Sequence, residues 1–422
     1  MNLTRLTVAK AVANTALRWV PPFLPTLERA FGASTQQLTT VIGAGEIAGL
    51  STLGVARHLD RGRSRLVMSA ALAVVSLASL VALVGTTATF AIGFVLVVVG
   101  VSNLTVAGHA HISHQVPYAG RGRAIGVYET SWAFALLVGA PVVAGLIAWV
   151  GWRGPFAALA LATAVLAAVI ARSPSDPSGS ADASAPDDPT GAPRPQGPAG
   201  PAGGASPAPA PAPVPAGATA PRTAAPPAEA IAIPGRFTSL PARAWAVVAG
   251  SALLAMAGLS LFAVSGSWLD GAFGLSTGGL GAAAMAYGAI ELGASSGSAV
   301  IADRLGKLRA TLAGITALVV GLAIISIADD LLWVGLAGML TFVGGFEFAF
   351  VTSLSLVTEA TPRTRGTTIA LASAVGTLAR GCGTIASGVL FGIHGVRGPV
   401  VLSATAATCA AACFALSRRA PS

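Results

Sequence analysis

The sequence predicts an all-α membrane protein, with about twelve transmembrane helices in two pseudo-symmetric six-helix bundles. Three observations predict it. Of 422 residues, 54% are hydrophobic and only 10% charged, whereas soluble domains carry roughly 25% charged residues. Apolar stretches recur along most of the chain, each near the ~20 residues that a helix needs to cross a ~30 Å hydrocarbon core. Landmarks also repeat in order, at offsets of about 242 to 244 residues. Phe31-Gly32-Ala33-Ser34 returns as Phe273-Gly274-Leu275-Ser276, Asp60-Arg61-Gly62-Arg63 as Asp303-Arg304-Leu305-Gly306-Lys307, and Arg121-Gly122 as Arg365-Gly366.

The elements follow from these runs. The first span is expected over about 7–27. Arg5 and Lys10 before an apolar run resemble a signal peptide, but Arg18 and Pro21-Pro22 interrupt the run and no small-residue cleavage site follows, so a retained span is expected. Further spans are expected near 38–56, 66–84, 90–110, 124–148 and 153–172, closing a first bundle over 1–172. Residues 173–242 are dominated by Pro, Ala, Gly and Ser and cannot form a core, so a disordered linker is expected. A second bundle over 243–422 has spans near 243–265, 278–300, 310–328, 331–356, 367–392 and 397–417. Helices are the expected spanning element, since the two-residue alternation of a membrane barrel is absent.

The net charge of +9 does not point to nucleic acid, because the bases sit in short loops between spans. One set of loops holds Arg57, Arg61, Arg63, Arg65, Arg121, Arg123, Arg304, Lys307, Arg309, Arg363 and Arg365, while the opposite side holds only Arg29, Arg153 and Arg397. By the positive-inside rule both termini and the linker are cytoplasmic. Cys382, Cys409 and Cys413 all lie in late spans and read as packing residues without a disulfide framework.

The loop motifs resemble the major facilitator superfamily. That family's loop between its second and third spans, repeated between its eighth and ninth, reads roughly Gly-x-x-x-Asp-Arg-x-Gly-Arg/Lys. Asp303, Arg304, Gly306 and Lys307 match the second copy, with Ala299 where glycine is usual. Asp60, Arg61 and Arg63 match a shortened first copy, with Ala56 at its start. Arg121-Gly122-Arg123 and Gly151-Trp152-Arg153 resemble the family's starts of the fifth and sixth spans. The resemblance implies secondary transport of a small-molecule substrate by alternating access, usually as a monomer in the plasma membrane. It also implies gating: Asp60 would meet the start of the eleventh span near Gly366, and Asp303 the start of the fifth near Gly122, when the cytoplasmic side is closed. A carboxylate at a helix N-terminus gains about 0.3–1 kcal/mol. Gly139, Pro141 and Gly145 resemble the fifth-span element of exporter branches, with Ala140 and Ala144 in place of glycines, and favour export over import.

A charge at bilayer depth costs at least ~2.5 kcal/mol, so it is a functional candidate. Arg18, Glu46, Glu129, Glu291, Glu347 and Arg380 are such residues. At 1.5 Å per residue, Glu46, Glu291, Glu347 and Arg380 lie about 18–22 Å from charged span ends, near mid-membrane. Arg18 and Glu129 lie in the cytoplasmic third. In the family's architecture Arg18 and Glu347 belong to cavity helices and the other four to flanking ones. A desolvated glutamate can hold a proton and a nearby arginine opposes this, so alternation between such environments couples protons to solute. Fixed ion pairs, for example Arg18–Glu129 or Arg380–Glu46, are the structural alternative. Glu129 leads as coupling acid, beside Thr130 and Ser131, followed by Glu46, Glu347 and Glu291.

Asn14, Asn103, Trp132, Trp268 and Tyr287 are candidate cavity contacts. His109, His111 and His114 do not share one helix face, so no metal site is expected. No phosphate loop, dinucleotide fingerprint or catalytic triad is present, so neither a cofactor nor an enzyme is expected. Besides lipid, the expected partners are protons and a small molecule, with outward movement as the leading expectation. An importer or facilitator of a sugar or organic acid is the transport alternative, and a membrane sensor or scaffold the alternative of another class.

The topology is testable by impermeant thiol labelling in whole cells. A cysteine introduced beside Arg153 should react from outside, and one beside Arg194 only after permeabilisation. The reverse pattern would invert the orientation.

Overall fold

A computed structural model of the chain describes residues 2–173, 240–328, 331–361 and 365–418; nearly all of the expected linker lies outside them. Every regular element among the described residues is helical. The first span comprises α1 (Leu3–Arg18) and α2 (Leu24–Phe31). The second comprises α3 (Thr35–Ala48), one 3-10 turn and α4 (Thr52–Asp60). Spans three and four are α5 (Ser64–Ala82) and α6 (Thr87–Gln115). The fifth is cut into α7 (Tyr118–Glu129), α8 (Ser131–Leu137) and α9 (Gly139–Val150), and the sixth is α10 (Arg153–Arg172). The second half is unbroken: α11 (Ala242–Phe273), α12 (Thr277–Leu305), α13 (Lys307–Ser326), α14 (Leu332–Glu359), α15 (Arg365–His394) and α16 (Arg397–Ser417).

Ten of these stretches are long and apolar enough to cross a bilayer among the described residues. Two complete the twelve. The first span falls short because Pro21-Pro22 divides it, removing two backbone donors. The eighth, α12, has 29 residues but is diluted by glycine and carries Glu291 and Asp303. Several helices run past the expected apolar limits, α11 to Phe273 for example, because their ends are capped. The repeated Phe-Gly-x-Ser motif is one such device. Gly32 and Gly274 end α2 and α11 at φ 62° and 64°, and Ser34 and Ser276 then cap α3 and α12 by accepting backbone N–H bonds.

The two halves meet along two seams, α3 against α15 and α8–α9 against α12, with α2 also resting on α11. Glycine sets the approach at each seam. A Cβ on Gly43 would lie 2.5 Å from the Gly381 carbonyl oxygen, and one on Gly381 2.7 Å from that of Gly43. On the other seam a Cβ on Gly288 would lie 2.4 Å from the Leu137 nitrogen. In a membrane, such backbone contact supplies much of the helix association.

One face is sealed. Gly266 on α11 packs on the Pro21 and Pro22 carbonyls. The Ser267 hydroxyl donates to Glu28 at 2.7 Å, and Arg29 pairs with Asp270 at 2.8 Å. The face with the basic loops is different. α4 and α7 pack mainly on helices of their own half. Asp60, Arg61, Arg63, Asp303 and Arg304 are exposed, and a Cβ on Gly122 or Gly366 would meet nothing within 4 Å. The expected meeting of Asp60 with Gly366 and of Asp303 with Gly122 is therefore not made here; it requires the helix ends on this face to close. Lys307 pairs instead with Glu359 of the same half, and Arg121 donates to the Val116 carbonyl at 2.9 Å. Gly306, at φ 84°, turns α12 into α13. The side chain of Arg365 lies outside the described residues.

Gly43→Leu should drive the α3–α15 seam apart and lower stability by about 1–3 kcal/mol, read as thermal unfolding in detergent. Gly54→Leu, where a Cβ meets nothing within 4 Å, should be near neutral. Equal effects would remove the seam from the account.

Candidate functional site: a buried charge cluster between the halves

α1 carries Lys10, Asn14 and Arg18 at successive i, i+4 positions, which share one helix face. All three are buried, at 2%, 0% and 5% exposure. Such a stripe survives in an apolar helix only if partners meet it. Arg18 meets Glu291 of α12. Its two terminal nitrogens lie 2.7 and 2.6 Å from the two carboxylate oxygens, and one also donates to the Trp132 carbonyl at 2.8 Å. The guanidinium also lies 4.2 Å from the centroid of the Trp132 ring and 5.6 Å from that of Phe262. This fork-to-fork pair joins the two halves in a dry site. The expectation of an Arg18–Glu129 pair is thus corrected: Glu129 sits too near the open face, and the guanidinium reaches across the seam.

Glu347, on α14, is 8% exposed. It hydrogen-bonds Ser295 and lies within electrostatic reach of Glu291 and Arg18. Among the described residues no cation pairs with it directly. Two carboxyls thus lie near one guanidinium, and Glu291 holds both of its terminal nitrogens.

Glu129 has other partners. Its Oε1 is 2.6 Å from Lys10 Nζ and 2.6 Å from His109 Nε2. Lys10 also stands 4.2 Å over the Tyr128 ring, whose hydroxyl donates to the Leu104 carbonyl at 3.0 Å. The Glu129 side chain is 45% exposed, facing the open side, while Lys10 is sealed behind it. Sequence reasoning placed Lys10 among the flanking bases; the polar stripe on α1 is the signal that would have found it. Glu46 and Arg380 pair at 3.0 Å across the α3–α15 seam, and Arg380 also reaches Thr377 at 3.2 Å.

A second signal went unread. Gly43-Ala44-Gly45-Glu46 and Gly288-Ala289-Ile290-Glu291 are the same Gly-Ala-x-Glu element in the two copies. Each places a seam glycine one turn from an acid that pairs with an arginine of the other half.

Among the candidate cavity contacts, Asn14 donates to Ser131 at 3.3 Å and Asn103 to Ser51 at 3.3 Å and the Val99 carbonyl at 2.8 Å. The Asn14, Asn103 and Tyr287 side-chain oxygens are buried without a hydrogen-bond partner. Tyr287 packs edge-on against Phe262. Trp268 is not in this cluster; it packs against Phe273 at the sealed face. Gly139 leaves room for Thr15 of α1, whose hydroxyl would lie 2.5 Å from a Cβ, and nothing lies within 4 Å of a Cβ on Gly145. Pro141 follows the break between α8 and α9, where Val138 departs to φ −110°. The histidines separate: His109 faces Glu129, His111 Nδ1 lies 3.3 Å from Ser64, and His114 is exposed.

Two six-helix units that meet at central seams, sealed on one face with paired charges between them, define the alternating-access transporter class of membrane fold. The model of the Major Facilitator Superfamily matches residues 6–384 and 248–422; the chain belongs to that family. Solved structures agree on the fold. A bacterial homolog of the human lysosomal transporter Spinster, inward-facing and unoccupied, is 14% identical, with TM-score 0.72 over 99% of this chain and 96% of that one. The same homolog in its occupied inward-facing form gives TM-score 0.68 at 14% identity, again over 99% and 96%. A D-xylose–proton symporter is 13% identical, with TM-score 0.69 over 97% and 96%. No curated protein matches the chain.

Arg18→Ala should strand Glu291 and cost about 3–5 kcal/mol of stability. The double variant Arg18→Ala/Glu291→Ala should recover part of that loss in thermal unfolding. Simple additivity of the two single effects would show that the pair is not coupled.

Proposed function

We propose that the chain is a proton-coupled secondary transporter that moves a small molecule out of the cell by alternating access. Membership of the family supports transport. The carrying observation for coupling is the buried trio Arg18, Glu291 and Glu347. One guanidinium offsets one carboxylate, so the cluster has one uncompensated negative charge when both acids are ionised and is neutral when one holds a proton. Glu347 takes first place as the proton carrier, because Arg18 already serves Glu291 with two hydrogen bonds. Glu129 follows. Its exposure to the open face suits proton exchange, but Lys10 and His109 already compensate it. Glu46 and Arg380 act as a seam clamp.

The basic loops support a cytoplasmic placement of the open face and of both termini, which makes this conformation inward-facing in the plasma membrane. The break at Val138 and Pro141, with Gly139 against α1, supports the exporter reading. The fold shared with a sugar–proton symporter leaves import as the second reading. A monomer is sufficient, because the cluster is complete within one chain.

The test uses compounds that accumulate in cells lacking the protein, assayed in proteoliposomes with an imposed pH gradient. Glu347→Gln should abolish uphill flux while exchange without a gradient persists. Glu129→Gln should slow uphill flux less than Glu347→Gln, because Lys10 and His109 already compensate Glu129. Uphill flux at the parent rate in Glu347→Gln would remove that residue from coupling. Substrate moving with the proton rather than against it would make the chain an importer.

A further inference from the structure

The two copies of the chain share a corner and differ in what fills it. Before the sixth span the sequence reads Gly151-Trp152-Arg153-Gly154-Pro155-Phe156. Before the twelfth it reads Gly395-Val396-Arg397-Gly398-Pro399-Val400. Both corners turn on a glycine of positive φ. Gly151 and Gly395 turn at φ 78° and 58°. A Cβ on Gly154 would lie 2.8 Å from the Leu146 carbonyl oxygen, and one on Gly398 2.6 Å from the Leu390 carbonyl oxygen. The side chains depart: Trp152 and Phe156 become Val396 and Val400.

In the first half the aromatic pair fills the corner. Trp152 packs edge-on against Phe31 at 5.0 Å and against Phe156 at 6.1 Å between ring centroids. It comes so close to Gly85 that a Cβ there would lie 2.9 Å from the indole. Arg153 stacks over the same ring at 4.4 Å. In the second half the valines leave space. A half-open pocket of about 310 Å³ lies there, with Trp268, Ile325, Phe391, Val396, Arg397 and Val400 in its lining. This volume lies at the lower end of the range of about 300–1,000 Å³ for small-molecule sites. Arg397 is exposed and makes no ion pair or hydrogen bond among the described residues.

We propose that this corner is a binding site for an aromatic monoanion of about indole size. The ring takes the place that Trp152 occupies in the first copy, and Arg397 pairs with the carboxylate. The site is separate from the Arg18–Glu291–Glu347 cluster. It adjoins the sealed face, since Ser267, which holds Glu28 across the halves, also lines the cavity. An occupant therefore bears on the contact that keeps this face shut. The proposal does not depend on the direction or proton coupling of transport.

The test is equilibrium dialysis of radiolabelled indoleacetate against the full chain in detergent, alongside thermal unfolding. Saturable binding is expected, with a raised unfolding temperature. Val396→Trp should abolish binding and itself raise the unfolding temperature by filling the space. Val400→Phe, a smaller plug, should weaken binding if the tryptophan variant does not fold. Arg397→Gln should weaken it about tenfold or more, as for loss of a charge-assisted bond. Arg153→Gln, in the filled corner, and Glu347→Gln, in the central cluster, should leave it unchanged. Absence of saturable binding, or binding that survives both plugs, would overturn the proposal. So would lipid that co-purifies with the parent and is lost in Val396→Trp, since that would make an acyl chain the occupant.

Discussion

The paired contact between Arg18 and Glu291 is the constraint on which the site depends. A guanidinium at this depth is tolerable only with a carboxylate matched to both of its donor nitrogens and with aromatic faces around it. That requirement fixes α1 against α12 across the halves and orients Trp132 towards the pair. It also leaves Glu347 without a direct cationic partner among the described residues, the nearby positive charge being already engaged. The second seam answers with a parallel device, Glu46 against Arg380. The first pair is sealed and the second only partly buried, with Arg380 at 28% exposure, so the two connections differ in burial. A transporter must break and remake contacts between its halves, and contacts near water are the cheaper ones to exchange.

Much of the fold was legible. Hydropathy, span length and the ordered repeat gave the helical class, the two halves and the position of nearly every span. The repeated Phe-Gly-x-Ser landmark turned out to have a mechanical meaning, a left-handed glycine cap followed by a serine N-cap. The individual intrabilayer charges were visible too, because each costs free energy and stands out in an apolar run. Their pairing was not. Arg18 could be placed by depth, but depth alone does not say which of several acids lies across the seam. Glu291 and Arg18 are 273 residues apart in sequence, and only the packing of glycine-faced helices brings them together. Lys10 was misplaced for a related reason: near a chain end a lysine looks like a topology signal, and its burial depends on Glu129 and Tyr128 folding over it.

The face that is closed explains why the signature loops are idle in this conformation. Their acids and bases are exposed, and the glycines they would approach are open to solvent. At the opposite face the contacts of Ser267 with Glu28 and of Arg29 with Asp270 join the halves. Polar contacts between the halves are thus unequal at the two ends in this conformation, and a few kcal/mol is sufficient to shift a two-state population.

The two halves also differ in helix continuity. Every interruption among the described spans falls in the first half: the gap at Pro21-Pro22, the 3-10 turn at Gly49–Ser51 and the two breaks of the fifth span. The second half has continuous helices of 20 to 32 residues. At the boundaries within the fifth span the i→i−4 bonds continue, whereas Pro21 and Pro22 remove backbone donors, so the true gap among these spans lies in the first. That gap carries the seal between the halves, since Gly266 of the second half packs on the Pro21 and Pro22 carbonyls.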